Sequence, residues 1–220
     1  MKSLLQIFRV SNQLENAHRY SQMQMTREEN VMEHTGFVCM FVYLLHTDLK
    51  NSNQGVAQFD LGQAMTQAVC HDLDEAITGD VPRTTKYVSE EIRAAFAKIE
   101  REGVIKLSNA LCLTGQTAVD FFNEWDWAKK GPEGLVIKYA DLAAVVYRLW
   151  VEVILRRNMS FMPVALGVQR YLQEFRTTMG MHELAGTELA KMLIDHSEEA
   201  VQLVEKIVAM DDPLFHTIEQ

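Results

Sequence analysis

Apolar residues recur along this chain mostly at spacings of three and four, the repeat of an amphipathic helix. Leu4, Ile7, Phe8 and Leu14 mark a first helix. Val31 to about Leu49 marks a second, ending in the polar stretch Lys50 to Gly55. Leu61 to Ala76 predicts a third, broken by Thr78-Gly79-Asp80-Val81-Pro82. Ser89 followed by Glu90, Glu91 and Ile92 has the form of a helix cap with acids in the first turn, opening a helix that runs through Leu107. Ala118 to Lys129 predicts another, stopped by Gly131-Pro132. A long helix with one broad apolar face follows from Leu135 to about Arg156, then two more over Met162 to Met179 and Thr187 to Met210. No two runs alternate apolar and polar residues across a hairpin turn. The pattern therefore predicts an all-α chain of roughly seven or eight helices in one domain. The apolar C-terminal stripe Leu189, Leu193, Leu203 and Ile207 reads as core rather than interface.

Composition narrows the function classes. The formal net charge of -9 opposes non-specific nucleic-acid binding, which needs a positive field. It leaves room for a small anionic ligand, because a few local cations and a metal can reverse the sign inside a pocket. Cys39, Cys70 and Cys112 form no CxxC pair, so neither a disulfide framework nor a cysteine zinc site is expected. The start of the chain lacks a signal-peptide core, and the longest apolar run, Phe37 to Leu45, is too short to span a bilayer. The expectation is a soluble, cytoplasmic protein with no membrane or nucleic-acid partner.

The residues that suggest chemistry begin at Cys70-His71-Asp72-Leu73-Asp74-Glu75. An adjacent His-Asp pair ends an apolar helix, and Glu75 lies four residues after His71 and three after Asp72, on the same side. A capped helix end with solvated acids explains this cluster as readily as a metal site. His34 opens an apolar helix, where a lone histidine is ordinarily a satisfied core residue. Asp141 sits inside Val136 to Val146, and a carboxylate in so apolar a helix must be paired, hydrogen-bonded or metal-bound. A salt bridge to Lys138 is the plain alternative. Two histidines and two carboxylates together suit one divalent metal, Mn, Fe, Co, Zn or Mg.

The order His34, His71-Asp72, Asp141 resembles the H…HD…D signature of the HD-domain superfamily of metal-dependent phosphohydrolases. Arg27 to His34 resembles the R-x-E-N-V-x-E-H segment of bacterial 5'-deoxynucleotidases. His71 to Pro82 resembles their HDxxExxTGDxP segment, and Lys138-Tyr139-Ala140-Asp141 their K-x-A-D segment. The motif-bearing part covers about residues 15–160, with the helices of 161–210 expected to pack on it as part of one HD-domain bundle. The resemblance implies His34, His71, Asp72 and Asp141 as metal ligands. It implies Glu75, beside Asp72, as the residue that orients or deprotonates the attacking water. Arg19 stands where the family has a phosphate-gripping arginine, and Asp80 where it has an acid near the sugar. Tyr20 replaces the family's tryptophan, and Arg83 is an additional cation.

Three readings follow from the resemblance. The first is a 5'-nucleotidase that converts deoxynucleoside monophosphates to deoxynucleosides and phosphate. The second is a deoxynucleoside triphosphohydrolase, similar to phage enzymes that remove dATP, with Arg83 and Lys86 as candidates for the two further phosphates. On the residues alone, Arg83 and Lys86 read as a solvated loop. The third, ranked low because all four ligands and Glu75 are present, is an inactive nucleotide-binding domain. No histidine falls between Asp72 and Asp141, which favours one metal and disfavours cyclic-nucleotide phosphodiesterase chemistry. His18, His46, His182, His196 and His216 are expected to be structural or exposed. A homo-oligomer, dimeric or larger, is expected by resemblance.

Overall fold

The computed structural model describes residues 2–53 and 58–210. His216 and the end of the polar stretch at Gly55 lie outside the described residues. The chain is all-α apart from one short strand pair. Its elements are α1 (Lys2–Asn16), β1 (His18–Arg19), β2 (Glu29–Asn30), α2 (Val31–Ser52), α3 (Leu61–Cys70), α4 (Glu75–Thr78), α5 (Arg83–Lys86), α6 (Glu90–Ala110) and α7 (Gly115–Trp127). There follow α8 (Gly131–Leu149), a π-helical segment (Trp150–Leu155), a 3-10 turn (Met159–Phe161), α9 (Met162–Met181) and α10 (Glu188–Ala209).

α8 is the central helix, packed against α2, α3, α9 and α10. Its run of buried residues explains why it reads as apolar on a broad face: Val136, Ile137, Ala140, Leu142, Ala144 and Leu149 are all enclosed. The C-terminal pair α9 and α10 packs mutually and onto α8, so Leu189, Leu193 and Ile207 are core, as expected; Leu203 is partly buried against it.

The structure changes several boundaries. The predicted third helix ends at Cys70, not Ala76, because the chain leaves the helix in a turn over 71–74 before α4 begins. Gly131-Pro132 does not merely stop a helix; it starts α8, where the proline occupies the first turn and its missing N–H costs nothing. Gly134 is required there, since a Cβ would lie 2.7 Å from the Lys129 backbone. The long helix predicted to about Arg156 widens into a π turn at Trp150, a feature that re-aims side chains and often accompanies function. The expected absence of strands fails only at β1 and β2, an antiparallel pair with His18 opposite Asn30 and Arg19 opposite Glu29. Two residues per strand are too few to show an alternating pattern.

The energetics of the C-terminal pair are directly measurable. Phe175 of α9 is 1% exposed, whereas Leu166 on the same helix is 61% exposed. Phe175→Ala is expected to cost about 3–5 kcal/mol in urea denaturation, and Leu166→Ala to stay within about 0.5 kcal/mol. Equal effects would show that α9 packs by a different face.

Candidate active site

Three helices deliver the cluster. Asn30 caps α2, its Oδ1 accepting from Glu33 N–H at 2.9 Å, which places His34 in the first turn facing inward. α3 ends immediately before His71. Asp74 anchors the turn that follows, accepting a 2.8 Å hydrogen bond from the indole N–H of buried Trp125. α8 supplies Asp141.

The side chains converge. Ligand atoms of His34, His71 and Asp72 lie within 4.8 Å of one another. His34 Nε2 is 3.1 Å from Asp141 Oδ1 and 3.5 Å from Asp72 Oδ2, and His71 Nε2 is 3.0 Å from Asp72 Oδ2. The Nε2 atoms of both imidazoles are buried without a hydrogen-bond partner of acceptable geometry. His71 Nδ1 lies 2.7 Å from the carbonyl of Ala68. A carbonyl only accepts, so Nδ1 carries a proton and Nε2 is the nitrogen left to ligate. Against burial, Asp72 and Asp141 raise the His71 pKa, so a cation at Nε2 would take the place of a proton there. Burial and the nearby Arg19 guanidinium hold the His34 pKa below its ordinary value, favouring the neutral, ligating form. Two buried nitrogens aimed at carboxylate oxygens, none of them satisfied by the protein, fit a divalent cation.

Arg19 stands beside this group. The β1–β2 pair fixes its backbone, and its Nε is 3.8 Å from Glu29 Oε1. Glu29 in turn forms a buried ion pair with Arg148 of α8. Burial alone disfavours the charged guanidinium of Arg19, but Tyr20, Asp141, Glu29 and Asp72 more than reverse this and raise its pKa. Arg19 Nη1 is buried with no partner among the described residues, a donor beside the metal-fitting cluster.

Glu75 opens α4 and is 7% exposed. Burial, with Asp72 and Asp80 close by, pushes its carboxyl up to about 10, against the pull of Lys86 and Arg19. Lys86 Nζ lies 3.8 Å from Glu75 and 3.0 Å from Glu100. Gly79 ends α4 at φ 69, a left-handed conformation that glycine adopts without penalty, and turns the chain so that Asp80 faces the site. Asp80 takes a backbone hydrogen bond from Tyr20, whose own φ of 56 is unusual for a non-glycine residue. The Tyr20 ring meets Phe161 edge-on at 5.0 Å.

A cavity of about 300 Å³ leads away from the cluster. Arg19, Tyr20, Asp80 and Asp141 line it together with Arg83, Arg170, Tyr171, Leu142, Val145 and one face of α9. Its size is at the lower end of small-molecule sites, about 300–1,000 Å³.

A family model for YfbR-like 5'-deoxynucleotidases matches residues 6–183, spanning the whole cluster. The chain belongs to this family. A 5'-deoxynucleotidase of Shewanella oneidensis is 39% identical over 82 residues, 37% of this chain and 41% of that protein. Another, from Erwinia tasmaniensis, is 27% identical over 167 residues, 76% of this chain and 82% of that one. The matches thus span 41% of the Shewanella relative and 61% of the one from Salmonella typhi. Among solved structures, an HD-domain phosphohydrolase from Listeria innocua superposes with TM-score 0.67 at 20% identity, covering 94% of this chain and 98% of that one. The cyanophage S-2L HD phosphohydrolase, bound to dA and one catalytic Zn2+ ion, superposes with TM-score 0.60 at 19% identity, covering 89% and 95%. These two share the fold.

For this YfbR-like chain, His34, His71, Asp72, Asp141, Arg19 and Glu75 come together from four separate stretches of sequence; His34, His71 and Asp72 form the tightest group, and Asp141 adjoins it through His34. Tyr20 and Asp80 also reach the cavity. Lys138 does not pair with Asp141; its Nζ lies 5.8 Å over the Phe175 ring, and the partner of Asp141 is His34. Arg83 is exposed, as expected, but it opens α5 rather than lying in a loop, and its guanidinium packs 4.2 Å from the Tyr171 ring centroid. Lys86 does not line the cavity, being drawn to Glu100 and Glu75. His18 reaches Glu28 and His196 reaches Asp48, both away from the cluster.

Sequence reasoning missed Glu29, Arg148 and Glu152. Arg148 lies seven residues after Asp141, on the same face of an apolar helix. The cost of burying a charge, which singled out Asp141, applies equally to Arg148 and to Glu152. Glu152 is fully enclosed in the π turn and accepts from Thr26 N–H at 2.9 Å and Asn158 Nδ2 at 2.8 Å. It thereby ties the segment after Tyr20 to the end of α8. Arg148→Met, which leaves Glu29 buried without its main partner, is expected to destabilise the protein by about 3–5 kcal/mol. A change below about 1 kcal/mol in chemical denaturation would show that the pair is not buried as described.

Proposed function

We propose that the chain hydrolyses 2'-deoxynucleoside 5'-monophosphates to deoxynucleosides and inorganic phosphate. The convergence of His34, His71, Asp72 and Asp141 beside Arg19, whose Nη1 has no partner among the described residues, on a cavity that Arg19 and Asp141 line carries this reading. Membership of the YfbR-like family supports it, since the named relatives are 5'-deoxynucleotidases.

His34, His71, Asp72 and Asp141 would hold one divalent metal. When bound, such an ion acidifies water and neutralises phosphate oxygens. The remaining work belongs to the chain. Arg19 Nη1 donates to the phosphate oxygens, on which charge accumulates as the 5'-oxygen departs. Glu75 would accept the proton of the attacking water. Because burial, Asp72 and Asp80 push its carboxyl up to about 10, it would ionise for that step only with positive charge added to that of Lys86 and Arg19, which a divalent cation beside Asp72 would supply. Asp80 accepts a hydrogen bond from the deoxyribose hydroxyl. Tyr20, held against Phe161, packs on the sugar where a 2'-hydroxyl would stand.

The triphosphate alternative is not favoured. Of the two cations it would need, Lys86 is drawn to two carboxylates and does not line the cavity, and the named relatives are 5'-deoxynucleotidases. Release of phosphate from dAMP, with AMP and dATP hydrolysed at least about 10-fold more slowly in the presence of Mn, Co or Zn, is the expected outcome of a substrate panel. Triphosphate release from dATP as the faster reaction would overturn the monophosphate reading. Separately, Glu75→Gln is expected to lower kcat by about 100- to 10,000-fold while leaving metal content unchanged. Near-normal turnover in that variant would remove Glu75 from the proton-accepting role.

A further inference from the structure

The lining of the cavity is chemically mixed. Arg19, Asp80 and Asp141 are its charged residues near the His34–Asp72 cluster, whereas Leu142 and Val145 of α8 and Val164, Gly167, Val168 and Tyr171 of α9 give it an apolar wall. The α9 residues recur at spacings of three and four and so form one face. That helix follows the segments that carry the family's signature residues.

Gly167 is the one cavity-lining position, among the described residues, without a side chain. It is partly buried in the interior of α9, far from both helix ends. A Cβ built there meets no heavy atom within 4 Å. No close backbone approach demands a glycine, in contrast to Gly134 at the start of α8. Alanine is the better helix former at such a site, so folding gives no reason for the missing side chain. What the glycine does is keep the slot open.

We propose that Gly167 sets the depth of a nucleobase subsite between α8 and α9, and that this clearance admits a purine. The proposal rests on the reading of the cavity as a deoxynucleotide site. With phosphate at Arg19 and sugar at Asp80, the space that remains for the base is the apolar slot. Its aliphatic walls suit the faces of a planar ring. Beside this wall the guanidinium groups of Arg83 and Arg170 lie 4.2 Å and 5.0 Å from the Tyr171 ring centroid, supplying donors for acceptor atoms on the base edge. A branched side chain at position 167 would fill the slot and exclude the larger bicyclic ring first.

The test compares full-length wild type, Gly167→Ala and Gly167→Leu on dAMP, dGMP, dTMP, dCMP and 2-deoxyribose 5-phosphate, which lacks a base. Gly167→Leu is expected to lower kcat/KM for the two purine nucleotides by about 10- to 100-fold, mainly through KM, and less for the pyrimidines. Hydrolysis of 2-deoxyribose 5-phosphate should stay within about twofold of wild type, because that substrate never enters the slot. Gly167→Ala should keep or raise Tm, by about 1–3 °C, which separates the role of the glycine from folding. An active wild type whose base selectivity Gly167→Leu leaves unchanged, or a loss equal on all five compounds, overturns this proposal alone. A wild type inert on every compound overturns the functional reading and the proposal with it.

Discussion

Four ionisable side chains meet where α2, α3 and α8 converge, and their mutual electrostatics constrain the architecture around them. His34 and His71 are buried, yet their Nε2 atoms find no hydrogen-bond partner of acceptable geometry among the described residues. Asp72 and Asp141 lie within 3.5 Å of those nitrogens and remain partly open to solvent. Burying polar groups in this way is unfavourable unless something satisfies them. A divalent cation does so at one stroke, using lone pairs that the Ala68 carbonyl and the helix geometry already direct inward.

Around this centre the fold adds supports whose purpose is placement. Trp125 holds Asp74 and with it the turn that carries His71 and Asp72. Glu29 links Arg19 to Arg148, so the Arg19 guanidinium is braced by the same helix that supplies Asp141. The π turn at the end of α8 swings Glu152 onto the backbone of Thr26, steadying the segment that follows Tyr20. Charge pairs of this kind give modest net stability against apolar replacements, but they fix side-chain direction. Direction is what an active site requires, because catalytic efficiency falls steeply with misplacement of the reacting groups.

The sequence reveals the central residues for a physical reason. Asp141 is conspicuous because it interrupts an apolar helix, and His71-Asp72 because it ends one. The helices themselves are legible from their periodicity, with α6 and α10 close to their expected limits. The supports are harder to read. Glu29 lies in a polar stretch, Arg27 to Asn30, where one acid looks like the next, and its burial becomes evident only when Arg148 arrives from 119 residues away. β1 and β2 are two residues long and pair across a loop, so no local pattern announces them. The break at Cys70 follows from the turn that Trp125 anchors, a contact 51 residues apart in sequence. Lys86 and Arg83 show the same limit: adjacent cations in one short helix turn toward different partners, Glu100 and Tyr171.

Anomalous diffraction from crystals of the Glu75→Gln variant soaked with manganese and dAMP tests the central claim most directly. The account predicts one anomalous peak bonded by His34, His71, Asp72 and Asp141, with the phosphate of dAMP between that ion and Arg19. A metal bound elsewhere, or a nucleotide seated with its phosphate away from Arg19, would contradict it.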